Sequence, residues 1–238
     1  MSFTTWTPLA LLSSARQWRG SVWRIVDAQY TAGTMKLVDT QEEQDILDKL
    51  LDQQLRKLPE IFQELDPLLA APFRAHPLRT GSRFRAVTDP GVFYGAIKVD
   101  TACAEQGYWR WKFLQDAPEL VDIKPVAHTA FQADIATLAI DVREAPFMRD
   151  AAQWNHKTSY SATQALAWSA RAANLGAVRY ASVRDPAQGE CAAVLTPAAF
   201  SSAEPRPVRQ TWWLRVRRTE VLWRSEQRSL VFSSDAWR

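Results

Sequence analysis

The sequence contains few of the residues on which several common chemistries depend. Its 238 residues include 3 histidines, 2 cysteines and 8 glycines. The histidines, His76, His128 and His156, are widely separated and lack the spacing of a metal site, so we expect no bound metal. The cysteines, Cys103 and Cys191, each lie in an apolar run. Two such cysteines argue against a disulfide framework and fit a reducing cytoplasm.

Several catalytic motifs are also absent from the sequence. It contains no Gly-x-Ser-x-Gly elbow, no Walker loop and no Gly-x-Gly-x-x-Gly fingerprint. With the scattered histidines, these absences argue against metal-dependent hydrolysis, serine-hydrolase chemistry and hydride transfer on a Rossmann fold.

Long hydrophobic runs are lacking too. No segment approaches the roughly 18 apolar residues that a membrane span requires. The apolar run at 8–12 is short, no basic residue precedes it, and Arg16 and Arg19 follow at once, which is unlike a signal peptide. We therefore predict a cytoplasmic protein without a membrane partner.

The overall composition is that of an ordinary globular protein. Hydrophobic residues make up 47% of the chain and charged residues 23%, and 11 residues are tryptophan. The length suits one large domain with a substantial core. The formal net charge of +3 permits an anionic ligand and does not require nucleic acid.

Hydrophobic periodicity and turn residues predict a mixture of helices and strands. Strands are expected at 22–26, 92–97, 128–137, 178–182 and 191–195 and within 208–232, with 139–142 extending or pairing with the third. Helices are expected at 46–58 after a capping box at 40–43, at 61–69, at 101–114 after an N-cap at Asp100, and from a capping box at 161–164 to Gly176. Without a repeat or a linker, one α+β domain over residues 1–238 accounts for this pattern.

Four polar residues follow one another through these predicted elements. Arg83 lies in the turn Gly81-Ser82-Arg83-Phe84-Arg85, Tyr94 in the next strand and Glu105 on the helix after it, and Ser182 ends a later strand. Taken singly, each has a simple structural explanation as a surface charge, a core tyrosine, a helical side-chain contact or a turn serine. Their spacing alone does not establish a site.

The order Arg, Tyr, Glu, Ser closely resembles that of the RES-domain toxins, a family named for its Arg, Glu and Ser. Residues 81–110 resemble the family's central motif, 178–185 its serine motif, and Trp23-Arg24-Ile25 its opening strand. The chain resembles the longer branch of the family, with a helical insertion at about 40–70. It departs from the short members, which commonly have Gly-Gly-Arg-Trp-Asn where this chain has the turn at 81–85.

The resemblance implies a fold, an activity and a partner. The fold would be a single RES-type domain of the ADP-ribosyltransferase-like α+β class, related to diphtheria toxin, with a split antiparallel sheet and flanking helices. The protein would be the toxin of a type II toxin–antitoxin pair, with NAD as its substrate and an Xre-type antitoxin covering its active site. The residues implied as catalytic are Glu105, Arg83 and Tyr94, and those implied as substrate-binding are Arg24, Arg83, Tyr94 and Ser182.

Each residue type suits one task in breaking the bond between nicotinamide and ribose, which passes through an oxocarbenium-like state. Glu105 would stabilise the developing cation. Arg83 would bind the diphosphate bidentately. Tyr94 would offer a flat face to nicotinamide, and Ser182 a hydroxyl to an amide or ribose group. Water, phosphate and a protein acceptor of ADP-ribose would all attack the same sugar carbon, so hydrolysis, phosphorolysis and protein ADP-ribosylation remain open.

Two other function classes are open as well. Between Arg206 and Arg224, tryptophans alternate with arginines, as in nucleic-acid-binding surfaces that combine stacking with phosphate contacts. The simpler interpretation is an amphipathic hairpin with tryptophans inward and arginines in solvent, so direct DNA binding is not expected. A catalytically inactive interaction module would require the four site residues to be scattered in the fold.

Overall fold

The structure, a computed structural model, describes residues 6–28, 64–74 and 81–237. Within these ranges the helices are α1 (Pro8–Ser14), α2 (Pro67–Arg74), α3 (Val99–Asp116), α4 (Ala151–Trp154) and α5 (Ser161–Ala172). The strands are β1 (Arg16–Asp27), β2 (Phe93–Ala96), β3 (Ile123–Asp141), β4 (Ala177–Ala181), β5 (Glu190–Val194), β6 (Arg209–Val216), β7 (Glu220–Arg224) and β8 (Ser229–Ser233). Short 3-10 helices cover Phe147–Asp150, Pro197–Ala199 and Ser234–Trp237.

The long strand β3 organises the eight-stranded sheet. One of its edges pairs with β1 over residues 128–139. Its other edge is shared, with β6 alongside 123–131 and β4 alongside 139–141. Further pairings of β1 with β2, β2 with β5 and β5 with β4 join five strands into a closed ring. The strands β6, β7 and β8 extend from β3 as a separate wing, so the sheet is split.

This architecture confirms the predicted α+β fold and refines its sheet. Every pairing is antiparallel except that of β3 with β4, which is parallel, so the sheet is mixed. The chain leaves β3, passes through α4 and α5, and enters β4, and a helical crossover of this kind brings two strands together in parallel.

Several predicted elements have different limits in the structure. The ladder between β1 and β3 continues to Arg16, so β1 is longer than the predicted 22–26. The segments 128–137 and 139–142 belong to one continuous strand, except for residue 142. For the helix predicted at 61–69, residues 61–63 lie outside the described residues and 64–66 are not helical. The helix α2 begins at Pro67, because the Asp66 carboxylate accepts a hydrogen bond from the Leu68 N–H and proline suits a first helical position.

Two further predictions at helix starts are wrong, and others fall outside the described residues. Asp100 is in the first turn of α3, which begins at Val99, and it forms an ion pair with Arg228. The helix α5 begins at Ser161 as expected, but no side chain caps it. The predicted helix at 46–58 and its capping box lie outside the described residues, and the single-domain extent with its insertion stays a prediction.

The two faces of the sheet carry separate hydrophobic clusters. Because strand side chains alternate between faces, Phe93 and Val194 pack in the smaller cluster with Leu69 of α2. Their neighbours Tyr94 and Ala193 face the larger cluster, which includes the buried side of α3. Tyr94 and α3 therefore share one face of the sheet.

None of the helices in the described ranges is long and apolar enough to cross a bilayer. The cytoplasmic location stays a prediction. Cys103 and Cys191 are both buried as free thiols.

Candidate active site

A cavity of about 200 Å³ lies between β1, β2, α3 and the turn that carries Arg83. Arg24, Arg83, Tyr94 and Glu105 line it. Ser182 does not line the cavity but contacts a residue that does, because its hydroxyl donates to Glu105 Oε1 at 2.5 Å. The structure thus brings the five sequence-predicted residues together, and the scattered arrangement of an inactive module is not found.

The Ser182 hydroxyl group donates its hydrogen to Glu105. Its Oγ accepts hydrogen bonds from the backbone N–H groups of Arg184 at 3.1 Å and Asp185 at 3.0 Å. With both lone pairs engaged, the hydroxyl hydrogen is left for the Glu105 carboxylate. Ser182 is 1% exposed and is absent from the described lining of the cavity. In this structure it orients the carboxylate.

A second contact fixes α3 to the same turn. Thr101, one helical turn before Glu105, donates from its hydroxyl to Asp185 Oδ2 at 2.7 Å. Gly189 makes this approach possible, because a Cβ at that position would collide with the Thr101 hydroxyl. Two consecutive turns of one helix face are therefore hydrogen-bonded to the segment 182–185, and this holds Glu105 at a defined depth.

The environment of Glu105 has opposing effects on its ionisation. Burial raises the pKa of the carboxyl above its ordinary value. The hydrogen bond from Ser182 and the positive charges of Arg83 and Arg184 act in the opposite direction. Burial and the neighbouring donors and cations therefore act against each other on the ionisation of Glu105.

The turn that carries Arg83 is closed on itself and held by Tyr94. The backbone N–H groups of Ser82 and Arg85 each donate to the other residue's carbonyl, at 2.8 and 3.2 Å. The Tyr94 hydroxyl accepts from the Phe84 N–H at 3.0 Å and is hydrogen-bonded to Ser82 Oγ at 2.8 Å. Burial raises the pKa of this phenol, so Tyr94 is protonated at neutral pH. It both lines the cavity and fixes the turn.

The first turn of α5 supports the same loop from the other side. Thr163 donates from its hydroxyl to the Arg83 carbonyl, and Gln164 Nε2 donates to the carbonyls of Ser82 at 2.9 Å and Arg85 at 3.1 Å. Thr163 and Gln164 belong to the capping box predicted at 161–164. That assignment is wrong, because their side chains reach across to the loop.

The Arg83 guanidinium is buried, so it is not a solvated surface charge. Arg83 is 8% exposed, and its Nη1 donates to the carbonyls of Trp154 at 2.8 Å and His156 at 3.1 Å. The ring of Tyr160 lies 4.8 Å from the guanidinium carbon. Nε and Nη2 make no hydrogen bond within the described part of the chain, which leaves donors for a ligand.

Arg24 of β1 is a second arginine of the lining, and its guanidinium is held by residues of β2. Its Nη1 donates to the Tyr94 carbonyl at 2.8 Å, and its guanidinium carbon lies 4.8 Å from the centre of the Phe93 ring. The buried Nε has no partner among the described residues. Burial lowers the pKa of Arg24 to about 10, so the side chain remains charged at neutral pH.

A third arginine, Arg184, was missed by the sequence analysis. Its guanidinium carbon lies 3.6 Å from the centre of the Tyr108 ring, and Nη2 donates to the Lys157 carbonyl and the Tyr160 hydroxyl. Arg184 is 3% exposed and lines the cavity. Its position two residues after Ser182 was the only sequence signal, and a residue in a polar turn ordinarily points into solvent.

These charges give the cavity a distinct electrostatic character. Its described lining contains three arginines, Arg24, Arg83 and Arg184, and one acidic residue, Glu105, so the formal net charge of the lining is +2. None of the three arginines forms an ion pair with a carboxylate in the ranges that the structure describes. Because buried guanidinium groups without carboxylate partners are unfavourable, the wall is preorganised for an anion.

The Trp- and Arg-rich C-terminal strands lie apart from this lining. Trp212 is 1% exposed and Trp223 is fully buried, with its indole N–H donating to the Cys103 carbonyl at 3.0 Å. Trp213 is partly exposed, at 39%. The inward tryptophans match the amphipathic hairpin rather than a stacking platform. Across the described ranges, no group of three or more His, Cys, Asp or Glu residues is arranged to bind a metal.

Comparisons with known proteins identify the family and a similar solved structure. The sequence model of the RES domain matches residues 57–217, which is more than half of the chain. No curated protein sequence matches. A chain in the crystal structure of the M. tuberculosis MbcT–MbcA toxin–antitoxin complex is similar, with 14% sequence identity and a TM-score of 0.44 over 94% of this chain and 89% of that one.

Proposed function

The chain belongs to the RES domain family, and from that premise we propose that it is a toxin that cleaves the bond between nicotinamide and ribose in NAD. The observation that carries the proposal is the composition of the cavity. One oriented carboxylate, Glu105, shares it with three arginines that lack carboxylate partners within the described residues. A substrate that combines a ribose bonded to a pyridinium leaving group with two phosphates fits both parts of this wall.

Glu105 supplies the electrostatic part of the reaction. As the bond between the ribose C1′ and the nicotinamide nitrogen breaks, its electron pair passes to the ring and neutralises the pyridinium charge. The positive charge then develops on the ribose, where an ionised carboxylate stabilises it. Nicotinamide leaves as a neutral molecule and needs no general acid. The hydrogen bond from Ser182 fixes the carboxylate in place for this role.

The arginines supply the binding part. Arg83 keeps Nε and Nη2 for a phosphate, and Arg24 adds a second positive charge to the lining. Guanidinium groups bind phosphate oxygens through paired N–H donors. Tyr94, whose hydroxyl is engaged with the turn at 82–84, offers its ring to the nicotinamide. A nucleophile then attacks C1′, and water, inorganic phosphate and a protein side chain are all compatible with this arrangement.

Family membership also motivates a partner. An antitoxin, of the Xre type in our proposal, would silence the protein by covering the mouth of the cavity. A cationic wall favours polar or acidic side chains from such a partner. For an antitoxin to cover the cavity, its mouth must be open to solvent, and the entry of NAD requires the same opening.

The direct test is incubation of the purified protein with NAD, with and without inorganic phosphate, followed by mass spectrometry of the products. Free nicotinamide is expected in either case. ADP-ribose identifies hydrolysis, ADP-ribose 1″-phosphate identifies phosphorolysis, and a mass increase on an added protein identifies transfer. NAD that stays intact under all these conditions, with folded protein, contradicts the proposal.

A further inference from the structure

Trp109 occupies an unusual position at the edge of the cavity. Among the lining residues that the structure describes, it alone is largely exposed, at 49% of its surface. It follows Glu105 by four residues on α3, so it lies on the same helix face and about 6 Å farther along the axis. The exposed indole thus marks the rim next to the carboxylate.

Other exposed aromatic side chains do not share this position. Phe113, one turn farther along α3, is 56% exposed, and Trp168 on α5 is 64% exposed. Neither belongs to the described lining of the cavity. Scattered surface aromatics need no functional explanation. Trp109 differs because its exposed ring borders a cationic cavity.

The indole is also held in place. The rings of Trp109 and Tyr108 meet edge to face, with centroids 5.2 Å apart and planes at 73°. Tyr108 is itself buried and lies under the Arg184 guanidinium at 3.6 Å. A large flat ring that is fixed on one edge and open to solvent is suited to stacking against another flat ring.

On the premise of the proposed function, the size of the cavity indicates which part of NAD contacts the Trp109 ring. At about 200 Å³, the cavity is smaller than the ~300–1,000 Å³ sites that enclose drug-sized ligands. With Glu105 beside the scissile bond, the nicotinamide and its ribose fill the interior. The diphosphate passes the arginines, and the adenosine end of the dinucleotide is left at the rim.

We infer that Trp109 is an adenine subsite, which holds the purine of the dinucleotide by stacking at the mouth of the cavity. Aromatic stacking does not require a particular hydrogen-bond pattern, so the subsite would accept purine rings generally. The interaction would act on binding, because the purine is remote from the bond that breaks.

Calorimetric titration with two fragments of NAD tests this subsite without relying on turnover. ADP-ribose contains the adenine and both phosphates but no nicotinamide, and nicotinamide mononucleotide contains the opposite end. Trp109→Ala should weaken ADP-ribose binding by roughly 5- to 100-fold, the usual range for one stacked base, and change mononucleotide binding less than about twofold. Trp109→Phe should restore most of the affinity for ADP-ribose, and Phe113→Ala serves as the matched control.

The outcomes separate this inference from the function on which it rests. Unchanged ADP-ribose affinity in Trp109→Ala, or equal weakening of both fragments, overturns the adenine subsite while NAD cleavage by the wild type still stands. A wild-type protein that binds neither fragment and leaves NAD intact overturns the proposed function, and the subsite with it.

Discussion

Glu105 is one carboxylate in a wall whose other described charges are all positive. Burial makes ionisation of this group unfavourable, and Ser182, Arg83 and Arg184 compensate in part. Keeping a carboxyl group in such a position lowers the stability of the folded protein, and sacrifices of stability for function are common at active sites. The balance between burial and neighbouring charge leads to two predictions about side chains.

The first prediction concerns Glu105→Gln. The amide can still accept from Ser182 but carries no charge for the oxocarbenium-like state, so turnover of NAD should fall by about 100-fold or more. Affinity for NAD should change little. Because the folded protein no longer buries a charge, the melting temperature should stay level or rise. Steady-state kinetics and thermal unfolding check these points, with the exposed Glu119→Gln as control. Undiminished turnover in Glu105→Gln contradicts the assignment.

The second prediction concerns pH. Burial raises the pKa of Glu105, and the positive charge of Arg184 lowers it. Activity requires the ionised form, so the rate should fall as the pH drops through this pKa. Arg184→Gln removes a cation and raises the pKa further, so the acidic limb of the pH–rate profile should move to higher pH. The exposed Arg224→Gln should leave the limb in place. An unmoved limb in Arg184→Gln would show that this arginine does not act on Glu105.

Some of these residues were predictable from the sequence and others were not, for physical reasons. Glu105 and Arg83 were found through their motif, which also includes Tyr94. Arg184 was missed because a basic residue in a polar turn ordinarily points to solvent, whereas here the ring of Tyr108 and the carbonyl of Lys157 draw it inward. Long-range contacts of this kind leave no periodic signal in the sequence.

At the scale of elements, the site depends on the attachment of α3 to the turn after β4. Thr101 and Glu105 are spaced by one helical turn, and each contacts the segment 182–185. Asp185 accepts a second hydrogen bond at its other oxygen, from the Ala187 N–H at 2.9 Å. This attachment fixes the depth of the carboxylate in the cavity.

Thr101→Val should loosen that attachment without altering side-chain shape. The buried Asp185 carboxylate loses one of its donors, so the free energy of unfolding should decrease by about 1–3 kcal/mol. The rate of NAD cleavage should fall as well, because Glu105 is no longer held at its working depth. Denaturant unfolding and kinetics provide the measurements. Thr211→Val on an exposed strand position is the control, and equal stability of the two variants would refute the role of Thr101.

The elements themselves were predicted more reliably than their ends. The predicted strands at 92–97, 178–182 and 191–195 correspond to β2, β4 and β5, with ends that differ by one residue. The start of α3 was misplaced because Asp100 resembles an N-cap, although its carboxylate pairs with Arg228 from the distant β7–β8 turn. The parallel pairing of β3 with β4 was not predicted, since it follows from the path of the crossover rather than from local pattern.

At the scale of the whole molecule, the closed ring of strands carries the cavity and the wing of β6, β7 and β8 packs against α3. The wing directs Trp212 and Trp223 inward, which leaves no continuous aromatic surface on the described strands for stacked bases. We therefore predict no DNA retardation in a gel-shift assay with the isolated protein, even at low salt. A shift that weakens steeply as salt increases would instead indicate phosphate contacts by the exposed arginines.

The most direct test of the central claim is the intracellular NAD concentration after the chain is expressed alone in bacteria, with wild type and Glu105→Ala compared at equal protein levels. Depletion of NAD together with growth arrest is expected for the wild type only, and co-expression of an antitoxin of the proposed type should prevent both. Equal growth arrest by the two proteins while NAD stays constant would contradict NAD cleavage as the mechanism.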